Sequence, residues 1–200
     1  MIDRSIPFVN VIMKAELTGI QQIRLPGGFH LRGYRPGDER AWARMETEIG
    51  DFENALEAEE YFASTYLKRR EELERRMVVA ADEEDTAVGF SIAWQDARGE
   101  GTVASLHWLI VSPEYQGRGI GRALCVETMY VFCRLNEKYV YLHTQPWSHV
   151  AIRLYRKLGF RMQKTDSFSH YENQYEQSLE VLKKHLPDEI MNKLRQEAEA

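Results

Sequence analysis

Gln116-Gly117-Arg118-Gly119-Ile120-Gly121 joins an apolar run, residues 103–111, to a second apolar run, residues 120–134. A strand that passes through a glycine-rich loop into a helix aims successive backbone N–H groups and the helix dipole at one point, which suits an anion. Gly117 and Gly119 have no Cβ, so a phosphate can come close to the backbone there. The plain alternative is a loop that is glycine-rich for packing alone. Two sharper rivals are a dinucleotide fingerprint and a P-loop, and the spacing rejects both. Glycines at 117, 119 and 121 give G-x-G-x-G rather than G-x-G-x-x-G, no acidic ribose ligand stands at the expected distance, and no Gly-Lys-Ser/Thr is present.

Working outward, residues 103–111 read as a strand. Its even positions (Ala104, Leu106, Trp108, Ile110) are wholly apolar, and its odd positions include Ser105 and His107. Gly99-Glu100-Gly101 turns the chain into it from a hairpin arm over 86–94, where Val88, Phe90, Ile92 and Trp94 share one face; a further strand covers 77–81. Upstream, Arg35-Pro36-Gly37-Asp38 predicts a turn with Asp38 as N-cap of a helix through Trp42, Met45 and Ile49, and a strongly charged helix from about 53 to 76 follows. Residues 6–16 have strand content, and Leu25-Pro26-Gly27-Gly28 turns into a short strand over 29–34. Downstream come a helix over 120–134, a strand over 139–143, a Pro-Trp loop and a helix over 150–157 with Gly159 as its C′ residue. Leu179, Leu182, Leu186, Ile190 and Leu194 stand at helical spacing, interrupted by Pro187, which can open a new helix.

The loop and its lead-in Leu109-Ile110-Val111-Ser112-Pro113-Glu114-Tyr115 resemble the Gln/Arg-x-x-Gly-x-Gly/Ala signature of the GNAT superfamily of acetyltransferases. Ala151-Ile152-Arg153-Leu154-Tyr155-Arg156-Lys157-Leu158-Gly159-Phe160 resembles that family's second hallmark, in the same order and at the same separation. The likeness runs from about residue 29 to 162. It implies an α/β (α+β) fold with a mixed, mostly antiparallel central sheet of about six to seven strands, a V-shaped splay between the two central strands, and helices on both faces. Extra C-terminal helices are added. The chain divides accordingly into an N-terminal extension with a strand (1–28), the acetyltransferase domain (29–165) and a helical segment packed on it (171–200).

The resemblance also implies acetyl-CoA as co-substrate. Leu109, Ile110 and Val111 would pair with the pantetheine arm as with an added strand. Gln116, Gly117, Arg118, Gly119, Ile120, Gly121 and Arg122 would hold the pyrophosphate, and Ser148, Ala151 and Tyr155 would flank the arm. Ser148 departs from the pattern, since many members carry asparagine three residues before the alanine matched by Ala151. The chemistry is direct attack of an amine on a thioester, which needs a base, an oxyanion donor and a proton for the leaving thiolate. Tyr155 matches the hallmark tyrosine that serves the thiolate, or else it packs in the core beside Leu154 and Leu158. His107 interrupts an apolar strand and has an ordinary pKa of about 6.5; a carboxylate, a water chain, or a purely structural His107 are the alternatives. A backbone N–H near Leu109 would meet the oxyanion. His143, Thr144, Trp147 and His149 are candidates to line the acceptor cleft, with a structural plug as the alternative for Trp147, and Glu53, Glu57, Glu59 and Glu60 either attract a cationic amine or form a solvated helix start.

Composition narrows the partners. With 26 basic and 31 acidic residues the formal net charge is -5, which leaves no basic excess for nucleic acid. No stretch approaches the roughly 18 apolar residues of a membrane span, and the start lacks a signal peptide's features, so a cytoplasmic protein is expected. Cys125 and Cys133 suit neither a metal site nor a disulfide framework, and no metal is expected. Function is therefore read as N-acetyl transfer from acetyl-CoA to a primary amine of a small molecule or peptide in a ternary complex. The alternative is a catalytically silent acyl-CoA-binding regulatory module. The C-terminal leucines would either cover the protein's own sheet or pack across a homodimer.

Overall fold

A computed structural model describes residues 2–200. In chain order the elements are β1 (Val11–Glu16), β2 (Phe29–Gly33), α1 (Asp38–Ile49), α2 (Ala55–Thr65), α3 (Arg70–Arg76), β3 (Met77–Asp82), β4 (Ala87–Arg98), β5 (Gly101–Val111), α4 (Ile120–Arg134), β6 (Tyr139–Thr144), α5 (His149–Lys157), β7 (Arg161–Met162), α6 (Tyr175–Leu182) and α7 (Asp188–Gln196). The strands are ordered β2-β3-β4-β5-β6-β1-β7. The sheet is mostly antiparallel, with β5 and β6 parallel at Ser105 and Tyr141. The chain forms two compact units, and the division falls inside β4 and β5.

The first unit, residues 20–94 and 106–135, holds β2, β3, α1 to α4, and the parts of β4 and β5 nearest the glycine loop. Its core is aromatic: Trp42, Phe62, Tyr66 and Phe90 are fully buried, with Leu73, Val79 and Ile92 among them. Each such side chain contributes about 1.5–3 kcal/mol by leaving water.

Two local expectations need correction in this unit. Asp38 is not the N-cap of α1; Gly37 holds that place at φ 104°, and Asp38 lies in the first turn. Its carboxylate is buried and accepts from both Nη atoms of Arg32, at 2.7 and 2.9 Å, and from the Arg35 backbone N–H. A partner from β2 has outcompeted local capping. The single helix over 53–76 is also broken: α2 ends at Thr65, a 3₁₀ turn covers Leu67–Arg69, and α3 begins at Arg70. No glycine or proline marks the break, which falls beside the fully buried Tyr66.

The second unit comprises residues 2–19, 95–105 and 136–200. Here β1 lies between β6 and β7, with Val11 opposite Thr144 and Met13 opposite Met162. Arg98 donates to the Tyr141 hydroxyl and to Asp166, and the same hydroxyl donates to Asp166 at 2.5 Å. Burial and the Asp166 charge push the Tyr141 phenol well above its ordinary pKa. Leu179, Leu182, Leu186 and Leu194 are buried within the chain itself.

Candidate active site

Strand β5 departs from regular geometry at one residue. Trp108 has φ 50°, a left-handed conformation that is rare for a bulky side chain and costs on the order of 1–3 kcal/mol. Strict alternation would send His107 and Trp108 to opposite faces. Instead both reach one atom: Trp108 Nε1 donates to the Tyr66 hydroxyl at 2.7 Å, and His107 Nδ1 lies 2.7 Å from it. The twist at Trp108 is what turns the two neighbours to the same side.

An indole N–H can only donate, so Trp108 occupies a lone pair of the Tyr66 oxygen, and the direction of the bond between that oxygen and His107 Nδ1 follows the His107 tautomer. The imidazole is half-buried, and its ring lies 6.1 Å from that of Tyr66.

Beyond β5 the chain is tied down before it reaches the loop. Ser112 N–H donates to Val88 carbonyl at 2.9 Å, and Gln116 Nε2 donates back to the Val111 carbonyl at 2.9 Å. Gly117 and Gly119 follow at φ 76° and 88°, conformations that side chains resist, and a Cβ at either would meet nothing within 4 Å. Glycine is required there by backbone conformation, and the space above the loop is open. Gly119 caps α4, whose first recorded donor is Ala123 N–H to the Gly119 carbonyl. The N–H groups of Ile120, Gly121 and Arg122 come before it and point out of the helix end. Residues 116–119 are exposed, Arg118 leans over the Tyr115 ring at 5.2 Å, and the loop itself carries no carboxylate. Orphan amides, two arginines and open space fit a diphosphate.

Leu109, Ile110 and Val111 lead into this loop, and Gly89 opposite them allows a close approach. A Cβ on Gly89 would stand 2.8 Å from the Ile110 carbonyl oxygen and 3.0 Å from Leu124. The first unit therefore brings together His107, residues 109–111 and residues 116–122.

The remaining expected residues belong to the second unit. Ser148 ends a 3₁₀ turn at the start of α5, where its hydroxyl makes no capping bond, and Ala151 lies half-buried in the first turn. Tyr155 is 6% exposed with its ring 5.7 Å from Phe160, and its carbonyl accepts from Leu158 and Phe160 as the helix closes on Gly159. His143 stacks on Tyr171 at 3.8 Å and its Nε2 donates to Asn10 Oδ1 at 2.9 Å, while His149 stacks on His185. Burial lowers the His149 pKa, and the His185 and Arg153 charges add to that. Glu57 Oε2 accepts from the Glu53 N–H, and Glu57 N–H donates to Asn54, so Glu57 serves the start of α2.

Two buried polar residues of the first unit escaped the sequence. Tyr66 sits in a charged run with no local signal. Glu46 had one: a carboxylate one turn after Trp42 on the apolar face of α1.

Among the described residues no group of three or more His, Cys, Asp or Glu is placed to hold a metal ion, and no helix is long and apolar enough to cross a membrane. A mixed, mostly antiparallel seven-stranded sheet with a glycine loop between β5 and α4 defines an α/β architecture. The sequence profile of the acetyltransferase (GNAT) family matches residues 41–160, and the chain belongs to that family. A mycothiol acetyltransferase of Actinosynnema mirum is 28% identical over 168 residues, which is 78% of this chain and 52% of the relative. The chain thus spans about half the length of the mycothiol relatives it matches. A spermidine N(1)-acetyltransferase of Escherichia coli is 43% identical over a shorter stretch of 56 residues, 28% of this chain and 30% of that one. A GCN5-related N-acetyltransferase from Sphaerobacter thermophilus shares the fold with a TM-score of 0.59 and 21% identity, covering 78% of this chain and 49% of that chain.

Proposed function

We propose that this chain moves an acetyl group from acetyl-CoA to a primary amine of a small molecule or peptide, by direct attack in a ternary complex. The observation that carries the reading is the loop at residues 116–122: two left-handed glycines, open space above them, and the exposed start of α4, within a family profile that covers most of the chain. Bound acetyl-CoA would supply the activated thioester. The loop amides with Arg118 and Arg122 would hold its diphosphate, residues 109–111 would offer backbone to its arm, and Ser148 and Ala151 would add contacts from α5.

Tyr155 is assigned, on the second hallmark, as donor of the proton to the departing thiolate, since a phenol is neutral at pH 7. His107 is assigned as acceptor of the amine's proton, with Tyr66 hydrogen-bonded at its Nδ1. A small-molecule acceptor is supported by the similarity to a mycothiol acetyltransferase and a spermidine N(1)-acetyltransferase. The cytoplasm is the compartment that fits this chemistry.

The test is release of CoA from acetyl-CoA, read with a thiol reagent, against polyamines, aminoglycosides, amino acids and peptide N-termini. Turnover with one class of amine supports the transferase. Tight acetyl-CoA binding with no turnover on any amine would replace it with a silent acyl-CoA-binding module.

A further inference from the structure

Tyr66 is fully buried at the end of α2, where its N–H closes the helix on the Phe62 carbonyl at 2.8 Å. Its ring packs on Phe62 at 5.1 Å and edge-on to Trp94 at 4.9 Å, and the Arg69 guanidinium lies over the Trp94 ring at 4.3 Å. A ring enclosed in this way has little freedom to turn, so its hydroxyl oxygen is a fixed point. Phenylalanine would fill the same space; what the hydroxyl adds is the bond to two groups of β5.

Two departures from regular structure meet at that oxygen. The helix expected over 53–76 breaks at Tyr66, and Trp108 takes φ 50°. Backbone strain of the second kind persists where the surrounding fold enforces it, and it gathers at functional sites. Its effect here is to bring Trp108 Nε1 and His107 Nδ1 each to 2.7 Å from the phenol oxygen. A structural clamp would need only the indole. The half-buried imidazole is the member of the trio that can take up a proton near neutral pH.

We propose that Tyr66 is a positioning residue for His107: with its oxygen fixed by Trp108, it accepts from Nδ1–H and so makes Nε2 the nitrogen that takes the amine's proton. The inference rests on the reading of His107 as the base. A phenol oxygen has two lone pairs, and the indole N–H takes one while the other can take an N–H from Nδ1. Were Nδ1 to accept the phenol's proton instead, its lone pair would be engaged and Nε2 would carry the ring's own proton, leaving none for an amine. The two nitrogens lie on different edges of the imidazole, so holding Nδ1 settles where Nε2 points. The amine's proton passes to the Nε2 lone pair, Nδ1 keeps its proton throughout, and the imidazolium that forms is held by the same bond, now charge-assisted.

The test is nitrogen NMR of the full, unaltered chain at alkaline pH, where an imidazole is neutral, with the His107 signals identified by their loss in His107→Gln. They should show a protonated Nδ1 and a bare Nε2, and in Tyr66→Phe that preference should be lost as Nε2 gains the proton. Steady-state kinetics of Tyr66→Phe should show kcat lowered about tenfold or more with KM for acetyl-CoA close to unaltered, a split that a residue serving stability alone would not produce. A proton on Nε2 in the unaltered chain, which needs no variant to fold, would overturn the proposal, as would an unaltered tautomer and kcat in Tyr66→Phe. Full kcat in His107→Gln would instead remove the base reading, and the proposal with it, whatever the tautomer. Loss of kcat in His107→Gln together with a proton on Nε2 would keep the base and reject only the role of Tyr66.

Discussion

Gly119→Glu places a carboxylate where the diphosphate is expected, and Gly119→Ala is its control. Gly119 has φ 88°, so any side chain there is strained by about 1–2 kcal/mol, and because a new Cβ meets nothing within 4 Å no clash adds to that. For a chain of this length each kcal/mol moves Tm by about 2–4 °C, so both variants should stay folded with Tm lowered by about 2–8 °C. The glutamate variant should be the milder of the two, since an acid at a helix start gains about 0.3–1 kcal/mol from the dipole. Ligand binding separates them. A carboxylate about 5 Å from a phosphate charge opposes it by about 1–3 kcal/mol between bulk water and a surface dielectric near 20. That corresponds to a loss of about tenfold to hundredfold in CoA affinity for Gly119→Glu beyond any loss in Gly119→Ala. Calorimetric titration of CoA into both variants, with thermal melts in parallel, reads the two effects independently. Equal CoA affinity in the two variants would refute the phosphate-loop assignment, however large the shift in Tm.

Tyr155→Phe should lower kcat while leaving CoA affinity close to unaltered, as removal of a transition-state proton donor does; steady-state kinetics with unaltered turnover would return Tyr155 to the core beside Phe160. Tyr66→Phe leaves the Trp108 indole and the His107 Nδ1 without their shared hydroxyl, and one buried unsatisfied group costs about 1–3 kcal/mol, so the melt should fall by several degrees and the pH–rate profile should shift. A melt and profile identical to the unaltered chain would remove Tyr66 from both roles. Glu46 titrates above its ordinary 4.5 in the folded chain because of burial and Asp51, so the folded state holds that proton more tightly than the unfolded state. Stability from this group is present below about 4.5 and is lost as pH rises through the folded pKa. Glu46→Gln removes the loss, and its Tm advantage should therefore grow from acid toward neutral pH; a constant difference across melts at each pH would contradict the burial of that carboxyl.

Sequence alone determined those features whose causes lie within a few residues. The loop at 116–121 announces its conformation because glycine is the residue that tolerates φ near 80° next to a helix start, and it does so at 117 and 119. The run from Ile120 to Arg134 is helical and buried as its apolar content requires, and Gly159 closes α5 at φ 97° as its place after the hallmark implies. The short apolar runs in β4 and β5 identified the strands, because strands buried on both faces carry apolar side chains on both. The family followed from these local pieces standing in one order.

Tertiary structure decided the features that depend on partners distant in the chain. Asp38 gave up its capping position to the guanidinium of Arg32 on β2, and β1 entered the sheet between β6 and β7 by pairing with residues about 130 positions away. The helix expected over 53–76 broke beside Tyr66, whose hydroxyl is held by His107 and Trp108 from β5. Trp108 itself adopts a positive φ that no local residue requires, and through it two neighbours expected on opposite faces share one hydrogen-bond partner. Glu46 could be seen on an apolar helix face, but its full burial beside Asp51 could not, because burial and hydrogen bonding are settled by what the rest of the chain brings near, and spacing along the sequence carries no record of that.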